Sequence, residues 1–210
     1  MIQLLKRLKI VIDNFMRRHG LGRWRSETSK CRKRLAPYCQ GYGIDIGAGG
    51  DPIVPTAIIV DLPSPYTMVG KSFVQLGGDA RDLRWFQDNA LDYVYSSHVL
   101  EDFENPGAVL TEWLRVIKPG GRLVVYCPDQ QRYLSYCRKH RRQPNPHHHH
   151  ADFSLSFVLN CLPSDRKYEI EHQNAAVDDY SWELVLKVTD TASKFLTRQG
   201  YDKNNTQTNA

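Results

Sequence analysis

Between Gly43 and Pro52 the chain reads GIDIGAGGDP, a short apolar strand that runs straight into glycines, and few folds accommodate that junction. Ile44 and Ile46 alternate around Asp45. The run then breaks at Gly47, Gly49 and Gly50, residues that accept positive φ and let a ligand approach the main chain. A helix is expected to follow, with free N–H groups at its start. Many doubly wound sheets use such a turn as a plain corner, so its neighbours decide what it holds.

Two acids follow at intervals that suit successive strands. In AIIVD, Asp61 ends an apolar run, where a carboxylate can accept hydrogen bonds from the two hydroxyls of a ribose. In LGGDA, Asp79 ends a short segment and could receive the exocyclic amine of an adenine, with the Ala80 N–H beside it. Either acid alone could be a helix cap or a turn residue. Together with the glycine turn, at three strand ends in order, they describe a nucleoside site. The dinucleotide fingerprint fits poorly: from Gly47 its third glycine falls on Pro52, and Asp61 comes earlier than the roughly 20 residues expected for the ribose-binding acid. No P-loop lysine follows either.

Four stretches, GIDIGAGGDP, AIIVD, GDARDLRWFQDNALDYVYSSHVLEDF and WLRVIKPGGRLVVY, resemble in order the class I S-adenosylmethionine-dependent methyltransferases, in particular the small bacterial group with a type 11 domain. The resemblance implies an α/β fold: a doubly wound, Rossmann-like, mostly parallel seven-stranded sheet with an antiparallel last strand and helices on both faces. It implies S-adenosylmethionine as cofactor and S-adenosylhomocysteine as product. By the same resemblance Asp45, Gly47, Ala48 and Gly49 would line the methionyl part. Asp61 and Leu62 would hold the ribose, Asp79 and Ala80 the adenine, and Ser97 with His98 the reactive side. The family often has a histidine where this chain has Asp102.

The 210 residues suit one domain with an extension, and the net charge of +5 is unevenly placed. Residues 1–41 hold eleven Lys and Arg against two acids, leaving 17 against 21 in the rest. The expected layout is a basic helical extension over 1–40, the cofactor-binding domain over 41–197, and a polar, disordered tail from Arg198. Within the extension, residues 1–18 read as an amphipathic helix with Leu4, Leu8, Val11 and Phe15 on its apolar face. That helix either closes over the active site or docks on an anionic membrane surface. Ser26 is a candidate cap for a second helix ending near Tyr38. Five scattered cysteines without C-x-x-C spacing argue against a disulfide framework or a zinc site, and a reducing cytoplasm fits. No run reaches the roughly 18 apolar residues of a membrane span.

Further on, Leu91–Tyr95 reads as the fourth strand and 96–103 as its functional loop. Asn105 and Pro106 open a helix. Lys118-Pro119-Gly120-Gly121 forms a turn before the strand Leu123–Tyr126. A basic helix over Gln130–Arg142 precedes four consecutive histidines, His147 to His150, read either as a loop at the site's mouth or as solvated surface and assigned no metal, since neighbouring histidines rarely point at one ion. A helix over 153–162 and strands Tyr168–His172 and Tyr180–Val188 complete the chain.

Methyl transfer from a sulfonium needs alignment more than a metal, and an oxygen or nitrogen acceptor that loses a proton benefits from a base such as histidine. The candidates are His98 and, from the later run, His147. Cys127 ends the fifth strand where RNA cytosine-5 methyltransferases place a cysteine, but their Pro-Cys after the fourth strand is SSHV here. The absence of N-P-P-Y argues against amino methylation of adenine, and nucleic acid is not the expected partner. A small molecule, saccharide or lipid-linked acceptor is expected. A non-catalytic domain that binds the cofactor or a partner is the alternative.

Overall fold

The computed structural model of the protein describes residues 26–65, 70 and 72–190; the amphipathic segment 1–18 and the tail from Arg198 lie outside them. Seven strands make one sheet: β1 (Gly43–Ile46), β2 (Ile58–Asp61), β3 (Leu76–Gly77), β4 (Leu91–Ser97), β5 (Ile117–Pro128), β6 (Tyr168–Val177) and β7 (Ser181–Val188). Their order is β3-β2-β1-β4-β5-β7-β6, with β1 to β5 parallel and β7 antiparallel to both its neighbours. The expected fold class is the one observed. All parallel strands therefore end at one edge, and order reverses between β1 and β4, where α/β sheets open a ligand crevice.

Successive residues of a strand face opposite sides, so β4 and β5 feed two cores at once. On one side Val94, Leu123 and Val125 pack with Leu110, Trp113 and Leu114 of helix α2 (Pro106–Val116). On the other, Tyr93, Tyr95, Val124 and Tyr126 pack with Cys31 and Leu35 of helix α1 (Glu27–Leu35). Helices α3 (Gln130–His140) and α4 (Leu155–Asn160) follow β5. Asn105 accepts from the Ala108 N–H and Pro106 starts α2, as the sequence indicated. The buried Trp113 sends its Nε1–H to the Ala80 carbonyl at 2.8 Å, tying α2 to the loop after β3.

One expectation fails. No helix follows the glycine loop: residues 47–57 turn directly into β2, a parallel crossover shorter than the dozen or more residues usual for a helical one, and Pro52 and Pro55 interrupt it. Helix α1, from before β1, covers the crossover instead, with Cys31 and Leu35 clustering with Ile53 and Ala57. Arg32 reaches the Asp51 carboxylate at 2.6 Å and the Pro52 carbonyl at 3.0 Å, and the Ser26 hydroxyl bonds the other Asp51 oxygen. The helix is capped by Ser26 and its continuation ends at Tyr38, as read from the sequence.

Smaller departures have local causes. Helix α3 stops at His140 because Arg141 turns left-handed at φ 53°, ahead of Pro144. Helix α4 starts only after Ser154, whose side chain caps it. Strand β6 runs on to Val177 because β7 supplies a pairing partner along its length.

Candidate active site

The edge where β1, β2, β3 and β4 end opens into a cavity of about 510 Å³. Its floor is the glycine loop. The Gly47 N–H donates to the Val60 carbonyl at 2.8 Å, pinning the loop across β2. Gly47 sits at φ 73°, and a Cβ there would lie 2.2 Å from Val99 Cγ2, so only a bare backbone fits between the loop and the residue after His98. Ala48 and Gly49 line the same floor.

Asp61 stands at the end of β2 with Oδ2 accepting from the Gly49 N–H at 3.3 Å and Oδ1 from the Leu62 N–H at 2.8 Å. Each bond uses one acceptor position of a carboxylate that has about four, which leaves capacity facing the cavity. Burial raises this carboxyl above its ordinary value. Asp79 also lines the cavity, but Arg81 grips it through its backbone N–H at 2.8 Å and its guanidinium at 2.5 to 3.0 Å. That pairing lowers the Asp79 carboxyl. Ala80 completes this end, and Ser97 at the tip of β4 has a buried hydroxyl with no partner among the described residues.

Asp45 does not line the cavity, contrary to the sequence expectation. It is fully buried behind the loop, where one carboxylate oxygen accepts the Ile53 N–H at 2.6 Å, and burial pushes its carboxyl well up. Its work is to hold the crossover that replaces the missing helix.

The far end is built from residues distant in sequence. His98 adopts φ 55°, a left-handed backbone uncommon outside glycine, and its N–H donates to the Tyr126 carbonyl at 2.9 Å. Its Nε2 lies 3.3 Å from Ser181 Oγ and 3.4 Å from the Glu27 carboxylate; its Nδ1 lies 3.5 Å from Glu101 Oε1. Burial of the ring outweighs the pull of Glu27 and takes His98 down to about 4, so the imidazole is neutral near pH 7. For Glu27, burial acts upward, but its charged neighbours win and hold it below the usual value. With His98 neutral, Lys30 at 2.7 Å and the Tyr180 hydroxyl at 3.1 Å are the groups that keep Glu27 ionised. Glu101 is 1 % exposed, and burial together with Asp102 pushes it well above the carboxylate range, which keeps it protonated.

The histidine run is pinned over this end. The His149 N–H bonds the Glu101 carbonyl at 3.2 Å, His148 Nδ1 meets Gln130 Oε1 at 2.7 Å, and His150 Nε2 meets the Phe103 carbonyl at 3.1 Å. Of the four, His147 lines the cavity, beside Asn145. No group of residues that could hold a metal ion occurs among the described residues. Cys127 is buried behind the site, where Glu101 and desolvation push its thiol up, and it does not line the cavity.

Sequence reasoning missed Ser26, Glu27 and Thr28, which bring the start of α1 into the cavity wall, and Glu101 behind His98. The helix start was legible from its cap. Nothing in spacing ties it to His98.

Residues 34–125 match the model of a methyltransferase domain, the type 11 family. That match spans just under half of the chain, and over this stretch the protein is similar to the methyltransferase family. A protein of Methanocaldococcus jannaschii described only as uncharacterised is 26% identical over 117 residues, 55% of this chain and 53% of that protein, so the chain spans about half the length of the relative it matches. Two solved S-adenosylmethionine-dependent methyltransferases share the fold. One, from Thermotoga maritima, aligns at a TM-score of 0.56 and 18% identity over 90% of this chain and 100% of that one. The other, from Archaeoglobus fulgidus, aligns at 0.54 and 19% over 76% and 92%. The residues present fit a nucleoside cofactor such as S-adenosylmethionine: loop backbone at Gly47 and Gly49 that lines the cavity, spare acceptor capacity on Asp61, and the unpartnered Ser97 hydroxyl. No helix among the described residues is long and apolar enough to cross a membrane.

Proposed function

We propose that the protein is an S-adenosylmethionine-dependent methyltransferase that methylates an oxygen or nitrogen of a small molecule, saccharide or lipid-linked intermediate. The observation that carries this reading is one cavity whose two ends differ: backbone, Asp61 and Asp79 at one, a neutral imidazole beside an ionised carboxylate at the other. When bound, the cofactor supplies an electrophilic methyl group on a sulfonium.

The chain's own residues do the rest. Gly47, Ala48 and Gly49 let the methionyl part lie against the main chain, Asp61 with Leu62 positions the ribose, and Asp79 with Ala80 reads the adenine edge. His98 takes the acceptor's proton. The imidazolium that forms is stabilised by Glu27, 3.4 Å from Nε2. His147 and Asn145 stand at the mouth, where they meet the acceptor as it enters. Burial of His98 keeps the lone pair unprotonated at neutral pH.

Incubating the protein with S-adenosylmethionine and fractions of a cell lysate tests turnover. S-adenosylhomocysteine should accumulate with a small-molecule or glycan fraction. Cofactor binding without product in any fraction would favour the non-catalytic alternative, and product only with RNA would displace the acceptor class.

A further inference from the structure

The cavity's own charged lining is largely acidic, with Glu27, Asp61, Asp79 and Asp102 against Arg81, yet positive charge gathers beside it. Helix α3 carries Arg132, Arg138 and Lys139, and Arg141 and Arg142 follow it. None of these five makes an ion pair among the described residues, whereas Arg34, Arg81, Arg84, Arg115 and Arg122 each hold a carboxylate. The helix C-terminus favours cations, but its macrodipole amounts to only about half a charge. Several cations remain uncompensated.

Two of these, Arg132 and Lys139, line a second, open groove of about 410 Å³ together with Ser135, Tyr136 and His140, with Asp179 as its one acid. Arg132 is occupied by backbone carbonyls, at 3.1 Å to Ser181 and 3.3 Å to Ala175, so it shapes the groove and its charge stays unneutralised. Lys139 and His140 are exposed. His140 lies against the Tyr136 ring at 4.3 Å, and Arg142 sits over that ring at 5.6 Å.

Aromatic rings join this groove to the reacting end. Tyr180 contacts His98 at 5.9 Å on one side and Tyr136 at 4.9 Å on the other, and Lys30 lies 5.1 Å over the Tyr180 ring. The groove thus begins two ring contacts from His98. A groove with Tyr136 in its wall and uncompensated cations beside it suits a ring bearing an anionic group: apolar ring faces pack on tyrosine, and phosphate oxygens take Lys and Arg donors.

We propose that this groove is a subsite for a phosphate on the methyl acceptor, so that the acceptor is a phosphorylated, ring-bearing molecule whose reactive group reaches His98 while its phosphate rests on Lys139, His140 and Arg142. The inference rests on the methyltransferase reading and narrows its acceptor class. The phosphate could belong to a soluble compound or to a lipid headgroup, and the phosphate chemistry is shared. The subsite is assigned to the acceptor itself, not to a bulk membrane surface.

The test uses the full chain saturated with S-adenosylmethionine and titrated with a hexose 1-phosphate, the free hexose, and vesicles containing anionic phospholipid, followed by backbone amide shifts and calorimetry. The sugar phosphate should bind at least tenfold tighter than the free sugar, shift amides of residues 131–142, and weaken as salt rises. Lys139→Glu with Arg142→Glu should remove that preference, and Lys139→Ala with Arg142→Ala should reduce it, with cofactor affinity unchanged in both. Equal binding of both sugars, or a preference that survives the charge reversal, would overturn the proposal. Vesicle binding lost on charge reversal, without a sugar phosphate preference, would assign the patch to a membrane surface. Failure to bind S-adenosylmethionine at all would instead strike the methyltransferase reading, a distinguishable result.

Discussion

The two ends of the cavity are made in different ways. At the nucleoside end, the loop after β1 and the acids ending β2 and following β3 are consecutive pieces of one stretch, and the backbone does much of the work: Gly47 pins to Val60, and Gly49 and Leu62 donate to Asp61. At the acceptor end, Glu27 comes from α1, His98 and Glu101 from the loop after β4, His147 from the histidine run and Ser181 from β7. The loop is fixed by local backbone conformation, and at Gly47 it tolerates no side chain. An end assembled from side chains tolerates substitution in structure and changes in chemistry.

The largest effect that follows is on turnover. His98→Ala should lower kcat roughly 10²- to 10⁴-fold once an acceptor is in hand, while calorimetry finds S-adenosylmethionine affinity within a few-fold of wild type. A fall in affinity with turnover preserved would move His98 to the cofactor's side and blur the division between the ends.

Proton linkage should expose the acceptor end next. A histidine in the unfolded chain protonates below about 6.5, but folded His98 does so only near 4, so its contribution to stability is complete above pH 6.5 and lost as pH falls toward 4. The full loss is on the order of 3 kcal/mol. Buried Asp45 and Glu101 act in the opposite sense, since both are raised in the fold. Urea midpoints of wild type minus His98→Gln isolate the histidine. The difference should grow against wild type on acidification, and parallel profiles would show His98 to be solvated.

At the nucleoside end, Gly47→Ala must place a Cβ against Val99 in a left-handed backbone, and Gly120→Ala meets the same backbone strain at φ 82° with nothing within 4 Å. Strain of this kind costs about 1–3 kcal/mol. Gly47→Ala should therefore weaken the cofactor about ten- to a hundredfold, whereas Gly120→Ala should lower melting temperature alone. Equal cofactor affinity for the two variants would deny the loop its cradle role.

Asp79→Asn should do least. Its carboxylate is 41% exposed and already held by Arg81, so a change of under about 1 kcal/mol in cofactor affinity is expected by calorimetry. A larger loss would make Asp79 a principal anchor of the adenine.

This division also explains what could be read in advance. The strands, the Ser26 and Asn105 caps and the strand-end place of Asp61 depend on local propensity and on where strands stop, both of which leave marks in sequence. The helix after the glycine loop was not legible as missing, because its place is taken by α1, and the Arg32 clamp on Asp51 and Pro52 that compensates is a tertiary contact. Asp45 was assigned to the ligand by the family resemblance, but the alternation that buries Ile44 and Ile46 on one face turns Asp45 to the other, toward Ile53. Glu27 lay in a segment whose basic composition pointed away from a catalytic carboxylate. Chain closure, not spacing, puts it beside His98.

The central claim is that the strand-end cavity holds S-adenosylmethionine with Asp61 on its ribose, and titration calorimetry of wild type and Asp61→Ala with S-adenosylmethionine and NAD tests it most directly. Wild type should bind S-adenosylmethionine and not NAD, and Asp61→Ala should lose roughly 1 to 3 kcal/mol of that affinity because the ribose donors lose a charged acceptor. Wild-type affinity for NAD, or an Asp61→Ala protein that binds as tightly as wild type, would contradict it.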